Sequence, residues 1–123
     1  MYKRFEDLKV WQMAREFRKE IYRLTKKFPK EEQYALTNQL RRAAISITAN
    51  IAEGHGRYHY GEGIHFCRTS RASISECLDH LYAALDESYI TKQEFDGAYQ
   101  AGRDLERVLN GYIGYLQKQT IDA

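Results

Sequence analysis

The run from Gln39 to Gly54, QLRRAAISITANIAEG, carries three different surfaces on one helix and therefore dictates what can pack around it. At about 100° per residue, Leu36, Leu40, Ala43, Ala44, Ile47 and Ile51 form an ordinary core stripe. Ile45, Thr48, Ala49 and Ala52 make a second face of mostly small side chains, which lets another backbone come close and predicts neighbours on two sides. Gln39, Arg42, Ser46, Asn50, Glu53 and Arg57 recur three or four apart and fall in a polar band between the other two. Polar groups flanked by apolar faces need hydrogen-bond partners. This band either pairs internally and fixes helix register, or meets a ligand. Gly54 is placed to end the helix, because glycine takes the left-handed C-cap conformation without steric cost.

The remaining chain supplies three more rods. A single Pro and eight Gly in 123 residues are too few for the closely spaced turns of a sandwich or barrel, so the fold class is all-α. One domain, residues 1–123, is the expectation, with helices over about 5–28, 31–53, 62–88 and 91–119. In the first, Val10, Ala14, Phe17, Ile21, Leu24 and Phe28 repeat at alternating four and three. Asp7 is its expected N-cap and Pro29 its stop. Trp11 and Tyr22 lie off this stripe and pack on a second neighbour or across a subunit interface. Glu31 and Glu32 suit the positive end of the second helix, leaving a very short connection that makes the first pair antiparallel.

In the third helix Ile64, Cys67, Ile74, Leu78, Leu81, Leu85 and Tyr89 share a face, with Arg71 inside it. A core-facing Arg calls for a carboxylate, and Glu53 or Glu76 is the expected partner. Ser73 and Glu76 share a helix face and complete a network with Ser46 and Asn50. The fourth helix opens with a Thr91/Glu94 capping box and repeats Phe95, Ala98, Gly102, Leu105, Leu109, Tyr112 and Leu116. Gly102, Gly111 and Gly114 are expected to permit close helix approach, and the tail 120–123 to fray. The architecture that results is an antiparallel up-down four-helix bundle.

The central run also resembles a known family. Gln39, Arg41, Arg42, Ala43, Ser46, Ile47, Asn50, Ile51, Ala52, Glu53 and Gly54 stand in the places of a Q-[IL]-R-R-A-x-x-S-[IV]-x-x-N-I-A-E-G core. Phe5 to Leu8 with Val10-Trp11, Phe28-Pro29, and Ser73-x-x-Glu76 match further landmarks. The pattern is that of the small four-helix-bundle proteins encoded in intervening sequences of bacterial 23S rRNA genes. The resemblance implies a ring-shaped homo-oligomer, a pentamer, without established chemistry. The accessory proteins of diversity-generating retroelements look like the same fold and are thought to carry nucleic acid and reverse transcriptase on a basic ring.

Net charge is only +2, but its distribution is lopsided. Residues 1–30 hold ten Lys or Arg against four acids, while residues 60–123 hold six against ten. The bases either pair loosely with the acidic helices or, multiplied by symmetry, form a positive belt that meets phosphates. Arg15, Arg18, Lys19, Arg23 and Lys26 on the first helix, with Arg41 and Arg57, are the candidate nucleic-acid contacts. The candidate polar network is Gln39, Arg42, Ser46, Asn50, Glu53, Arg71, Ser73 and Glu76.

The glycine-dense segment Gly54 to Gly63 resembles a phosphate-binding loop only loosely, since it follows a helix and lacks a Lys-Ser/Thr ending. Its Arg57, Tyr58 and His59 either stack on unpaired bases or simply connect two helices. His55, His59, His65 and Cys67 are the one metal-like group, but they straddle glycines, so neither metal nor cofactor is expected. Cys67 and Cys77, about 15 Å apart along one helix, are beyond disulfide reach and read as free, half-buried thiols. No nucleophile elbow, paired Glu-x-x-His or similar signature appears, so the chain is not expected to be an enzyme. A cytoplasmic protein is expected, because no span or signal-like apolar segment stands out. Two functions remain: a non-catalytic oligomer associated with RNA or DNA, RNA favoured, or a scaffold for a protein partner such as a reverse transcriptase or ribosomal component.

Overall fold

The structure is a computed structural model that describes residues 4–57 and 59–122, the side chains of 121 and 122 excepted. Tyr58 and the end of the tail at Ala123 lie outside the described residues. Four helices carry the fold, α1 (Lys9–Thr25), α2 (Leu36–His55), α3 (Tyr60–Asp86) and α4 (Lys92–Asp122), and no strand occurs among the described residues. α2 packs against both α1 and α3, and α4 closes the arrangement by contacting the same two helices.

The periodic stripes land in the core. Val10, Ala14, Phe17, Ile21, Leu24 and Phe28 are all buried, as are Leu40, Ala43, Ala44, Ile47 and Ile51, while Leu36 is half-buried at the edge. Each Leu, Ile or Phe withdrawn from water here contributes about 1.5–3 kcal/mol. Ile74, Leu81, Leu105 and Leu109 complete the centre. Ile113, Ser70 and Ser73 join this buried set although no apolar stripe includes them.

Helix ends depart from expectation, each for a local reason. The chain enters through a 3-10 turn at Phe5–Asp7, and α1 starts after Leu8, not at Phe5. Leu8 is the N-cap and makes no side-chain cap bond, so Asp7 does not cap. Burial of Leu8 in the core fixes this entry instead. α1 stops at Thr25, three residues short of Phe28, as the chain unwinds into three-residue turns toward Pro29. The following connection spans residues 26–35 and is not very short. It holds a 3-10 turn at Lys30–Glu32, so α2 begins at Leu36 instead of Glu31. Glu32 still serves α2, its carboxylate accepting the Leu36 N–H at 3.2 Å.

Gly54 does not end α2. The helix continues through His55, Gly56 caps it in right-handed geometry, and no described glycine has positive φ. A Cβ on Gly54 would lie 2.9 Å from the Phe66 Cβ and 3.1 Å from the Gly63 carbonyl oxygen, so this glycine lets α2 and α3 touch. Gly102 does the same for α4 against α3 and α1, where a Cβ would sit 2.7 Å from Leu78 Cδ2 and 3.3 Å from Phe17 Cε1. Gly111 and Gly114 face open space and permit no such approach in this chain.

α3 ends at Asp86, before the expected Ser88, because Ser88 adopts φ 63°. The N–H of Tyr89 reaches the Ala84 carbonyl at 2.9 Å and that of Ser88 the Leu85 carbonyl at 3.0 Å, a Schellman closure built on serine. α4 opens on the expected capping box: the Glu94 N–H donates to the Thr91 hydroxyl at 3.1 Å, and the Thr91 N–H to the Glu94 carboxylate at 2.9 Å. α4 runs through Asp122 in helical geometry.

Candidate nucleic-acid interface

α1 and α2 meet along a seam of arginines held by hydroxyls. Arg18 lies half-buried and donates to the Thr48 hydroxyl at 2.9 Å. Arg41 donates through Nε to the Thr25 hydroxyl at 2.8 Å, and its guanidinium covers the Tyr22 ring at 4.6 Å. Thr25 in turn donates to the Ile21 carbonyl at 2.8 Å. These partners are neutral, so neither guanidinium is paired with a carboxylate among the described residues while both are held in position.

Outside this seam opens a groove of about 530 Å³ lined by Arg18, Lys19, Tyr22, Arg23, Lys26 and Ile45. Four of the seven predicted contacts line it, and Arg41 adjoins it through Tyr22. Lys26 is exposed and has no ion-pair partner among the described residues. Lys19 is held only loosely by Glu16, at 3.4 Å, whereas Arg23 is clamped by Glu20 through two 2.7 Å bonds. Hydrogen bonding to Arg23 holds the Glu20 carboxyl below its ordinary pKa. Lys19, Lys26 and Arg18 are therefore the available charges, and Tyr22 with Ile45 supplies an apolar floor.

The other predicted contacts fall elsewhere. Arg15 lies along α1 with its guanidinium 5.9 Å from the Trp11 ring, and Trp11 itself packs edge-on against Phe5 at 5.1 Å. Arg57 follows the far end of α2, where it pairs with Glu53 at 3.1 Å and Glu62 at 3.8 Å and covers Phe66 at 4.8 Å. It does not join the groove. The segment around it, expected to be a hinge, is helical through His55 and again from Tyr60.

The small-residue face of α2 divides. Thr48 is buried against α1, but Ile45 is 44 % exposed and Ala49 is bare on the outer surface of the single chain.

The polar band faces α3 and splits in two. Asn50 donates to the Ser46 carbonyl at 2.8 Å and to its hydroxyl at 3.0 Å, and Ser73 bonds the same hydroxyl at 2.9 Å. Gln39, Arg42 and Glu76 line an adjoining recess of about 410 Å³ with Asn38 and Ala43. Arg71 reaches neither Glu53 nor Glu76. It donates to the Asn110 carboxamide at 2.8 Å, because its face of α3 turns toward α4. Glu53 goes to Arg57, and Glu76 lies 3.4 Å from His80. Asn110 and Asn38 carry no sequence signal, being single amides on exposed helical positions.

Cys67 and Cys77 are free and fully buried, not half-buried, and burial pushes their thiols up to about 11 and about 12. His65 stays exposed beside Phe66, and no three His, Cys, Asp or Glu side chains gather as metal ligands among the described residues. No helix among them is long and apolar enough to cross a membrane.

Residues 6–111 match the family described as 23S rRNA-intervening sequence protein. The chain belongs to that family. No curated protein matches it. A crystal structure of a protein with unknown function from the S23 ribosomal protein family of Bacteroides thetaiotaomicron VPI-5482 superposes with a TM-score of 0.78. The two are 21 % identical over 85 % of this chain and 97 % of that one, a likeness of fold. Within this 23S rRNA-intervening sequence protein, the matched stretch contains the whole groove and the whole polar band.

Proposed function

We propose that this intervening-sequence protein is a non-catalytic cytoplasmic homo-oligomer that associates with nucleic acid, RNA in preference to DNA, through the α1/α2 groove. The observation that carries this reading is the groove's lining, in which four cations, Arg18 and Lys26 among them without a described carboxylate partner, surround one aromatic ring. Lys and Arg along a channel track phosphates without reading sequence, and Tyr22 offers a face at its floor. Among the described residues no carboxylate neutralises Arg18, Arg41 or Lys26, which argues against mere internal charge balance.

The up-down antiparallel course is supported by pairings in which one number rises as the other falls: Arg18 with Thr48 and Arg41 with Thr25, Gly63 near Leu116 and Arg71 with Asn110. A ring of copies, five by family resemblance, is supported by Ala49 on the small-residue face of α2, which one bundle leaves exposed. Symmetry then repeats the groove around the ring and strengthens its potential.

A second reading, a scaffold for a protein partner such as a retroelement reverse transcriptase, is favoured by one surface feature. Tyr82, Phe95 and Tyr99 form an aromatic cluster on α3 and α4 with Tyr82 half-exposed, and aromatics of this kind are enriched where proteins meet.

Retention of generic single-stranded RNA measured against salt separates the two. The groove reading expects log affinity to fall with log salt. It also expects Lys19→Gln with Lys26→Gln to flatten the slope by about 0.7 for each phosphate that the variant no longer neutralises. Salt-insensitive retention, or a slope unchanged in the double variant, removes the groove from RNA binding. Light scattering that finds a monomer at micromolar concentration removes the ring.

A further inference from the structure

The recess between α2 and α3 holds two opposite charges that do not meet. Arg42 from α2 and Glu76 from α3 both line it, yet the guanidinium makes no ion pair or hydrogen bond among the described residues, and their charged atoms are more than 4.0 Å apart. Among the described residues Glu76 pairs with His80, at 3.4 Å, and stays half-exposed. Opposite charges on neighbouring helices can close into an ion pair. Here both instead border a recess of about 410 Å³.

The neighbouring groups are arranged as donors. Gln39 and Asn38 line the recess with carboxamides that bond no described residue. Ser46 and Ser73 share one hydrogen between their oxygens at 2.9 Å, and Ser46 also accepts from Asn50, so one hydroxyl hydrogen of the pair remains to be given outward. Next to Arg42 the recess therefore presents N–H and O–H groups suited to a carboxylate, which a guanidinium grips with two parallel bonds. From α3, Glu76 accepts and carries negative charge.

We infer that this recess binds a small zwitterion of the α-amino-acid class, its carboxylate on Arg42 and its ammonium on Glu76. Other occupants fit less well. Ala43 is the only apolar wall among the described residues and no aromatic ring lines the recess, so a nucleobase has only the Arg42 guanidinium on which to stack. A free phosphate gains from Arg42 but faces the Glu76 carboxylate with like charge. The volume lies within the range of small-molecule sites, about 300–1,000 Å³. This site is separate from the α1/α2 groove, sharing none of its lining residues.

The test is calorimetric titration of the full chain with each common L-amino acid, then with the amine and the carboxylic acid obtained by removing one charged group from the best binder. Saturable binding is expected for at least one amino acid, weakened at least about tenfold for both the amine and the acid, since each charge-assisted contact is worth that much. Arg42→Gln and Glu76→Gln are each expected to weaken it by a similar factor while the melting temperature of the unliganded protein stays put. Where either charge variant melts early, Gln39→Ala replaces it, with the same loss expected. Absence of saturable binding by any amino acid overturns the inference. So does equal binding of the amine or the acid, equal binding of inorganic phosphate, or full affinity in the variants.

Discussion

The guanidinium of Arg18 donates to the hydroxyl of Thr48 at 2.9 Å, joining α1 to α2 at the inner edge of the basic groove. Thr48 is buried and itself donates to the Ile45 carbonyl at 3.0 Å, so its oxygen is held in place for Arg18. The bond positions a charge without neutralising it. Thr48→Val keeps the volume but removes the acceptor, and Arg18→Met removes the donor while keeping the stem against α2. In a double-mutant cycle by urea denaturation, each single change is expected to cost about 1 kcal/mol, with a coupling of about 0.5–1.5 kcal/mol. Additive losses would mean that the bond contributes nothing to the folded state.

That bond shows where sequence reading reaches its limit. The stripes through Val10–Phe28 and Leu36–Ile51 are legible because burial imposes a helical period on residue type, and every member but Leu36 is buried. The Thr91/Glu94 box is equally legible, since both partners lie within one turn. Charge alone assigns Arg71 to a carboxylate. Its actual partner, Asn110, lies 39 residues away and is selected by how α3 and α4 are rotated, which no local pattern encodes. The groove is half legible: the basic residues of α1 stand out in the sequence, but Tyr22 and Ile45 enter it only through the packing of α2 against α1.

Gly54 makes the same point and carries a stability prediction. Its place after a long helical run imitates a C-cap, yet it is buried within α2, where a Cβ would meet the Phe66 Cβ at 2.9 Å and the Gly63 backbone at 3.1 and 3.3 Å. Neither neighbour is a flexible side-chain end, so the helices must part. Gly54→Ala is expected to destabilise by about 1–3 kcal/mol, overpacking outweighing better helix propensity. Gly111 sits in α4 with nothing within 4 Å of an added Cβ, and Gly111→Ala is expected to stabilise the monomeric fold by up to about 1 kcal/mol. Thermal melts of the two variants should move in opposite directions. Equal shifts would show that α2 and α3 do not cross as closely as their glycines allow.

Acid sensitivity follows from a carboxylate joining the ends of two helices. Glu94 at the start of α4 pairs with Lys27, just past α1, and accepts the Thr91 N–H at 2.9 Å. The hydrogen bond from Lys27, then that from the Thr91 backbone, holds its carboxyl below the ordinary 4.5. A carboxyl depressed on folding contributes stability that is full above its unfolded pKa and is lost as pH falls through the lower folded value. Glu94→Gln keeps the capping box, in which Gln replaces Glu, and removes only the charge. At pH 7 the variant is therefore expected to unfold at lower urea than the parent, and at about pH 3 the gap should narrow as the parent carboxyl protonates. Equal stability of variant and parent at both pH values would mean that Glu94 acts through its cap alone and that the Lys27 pair is immaterial to folding.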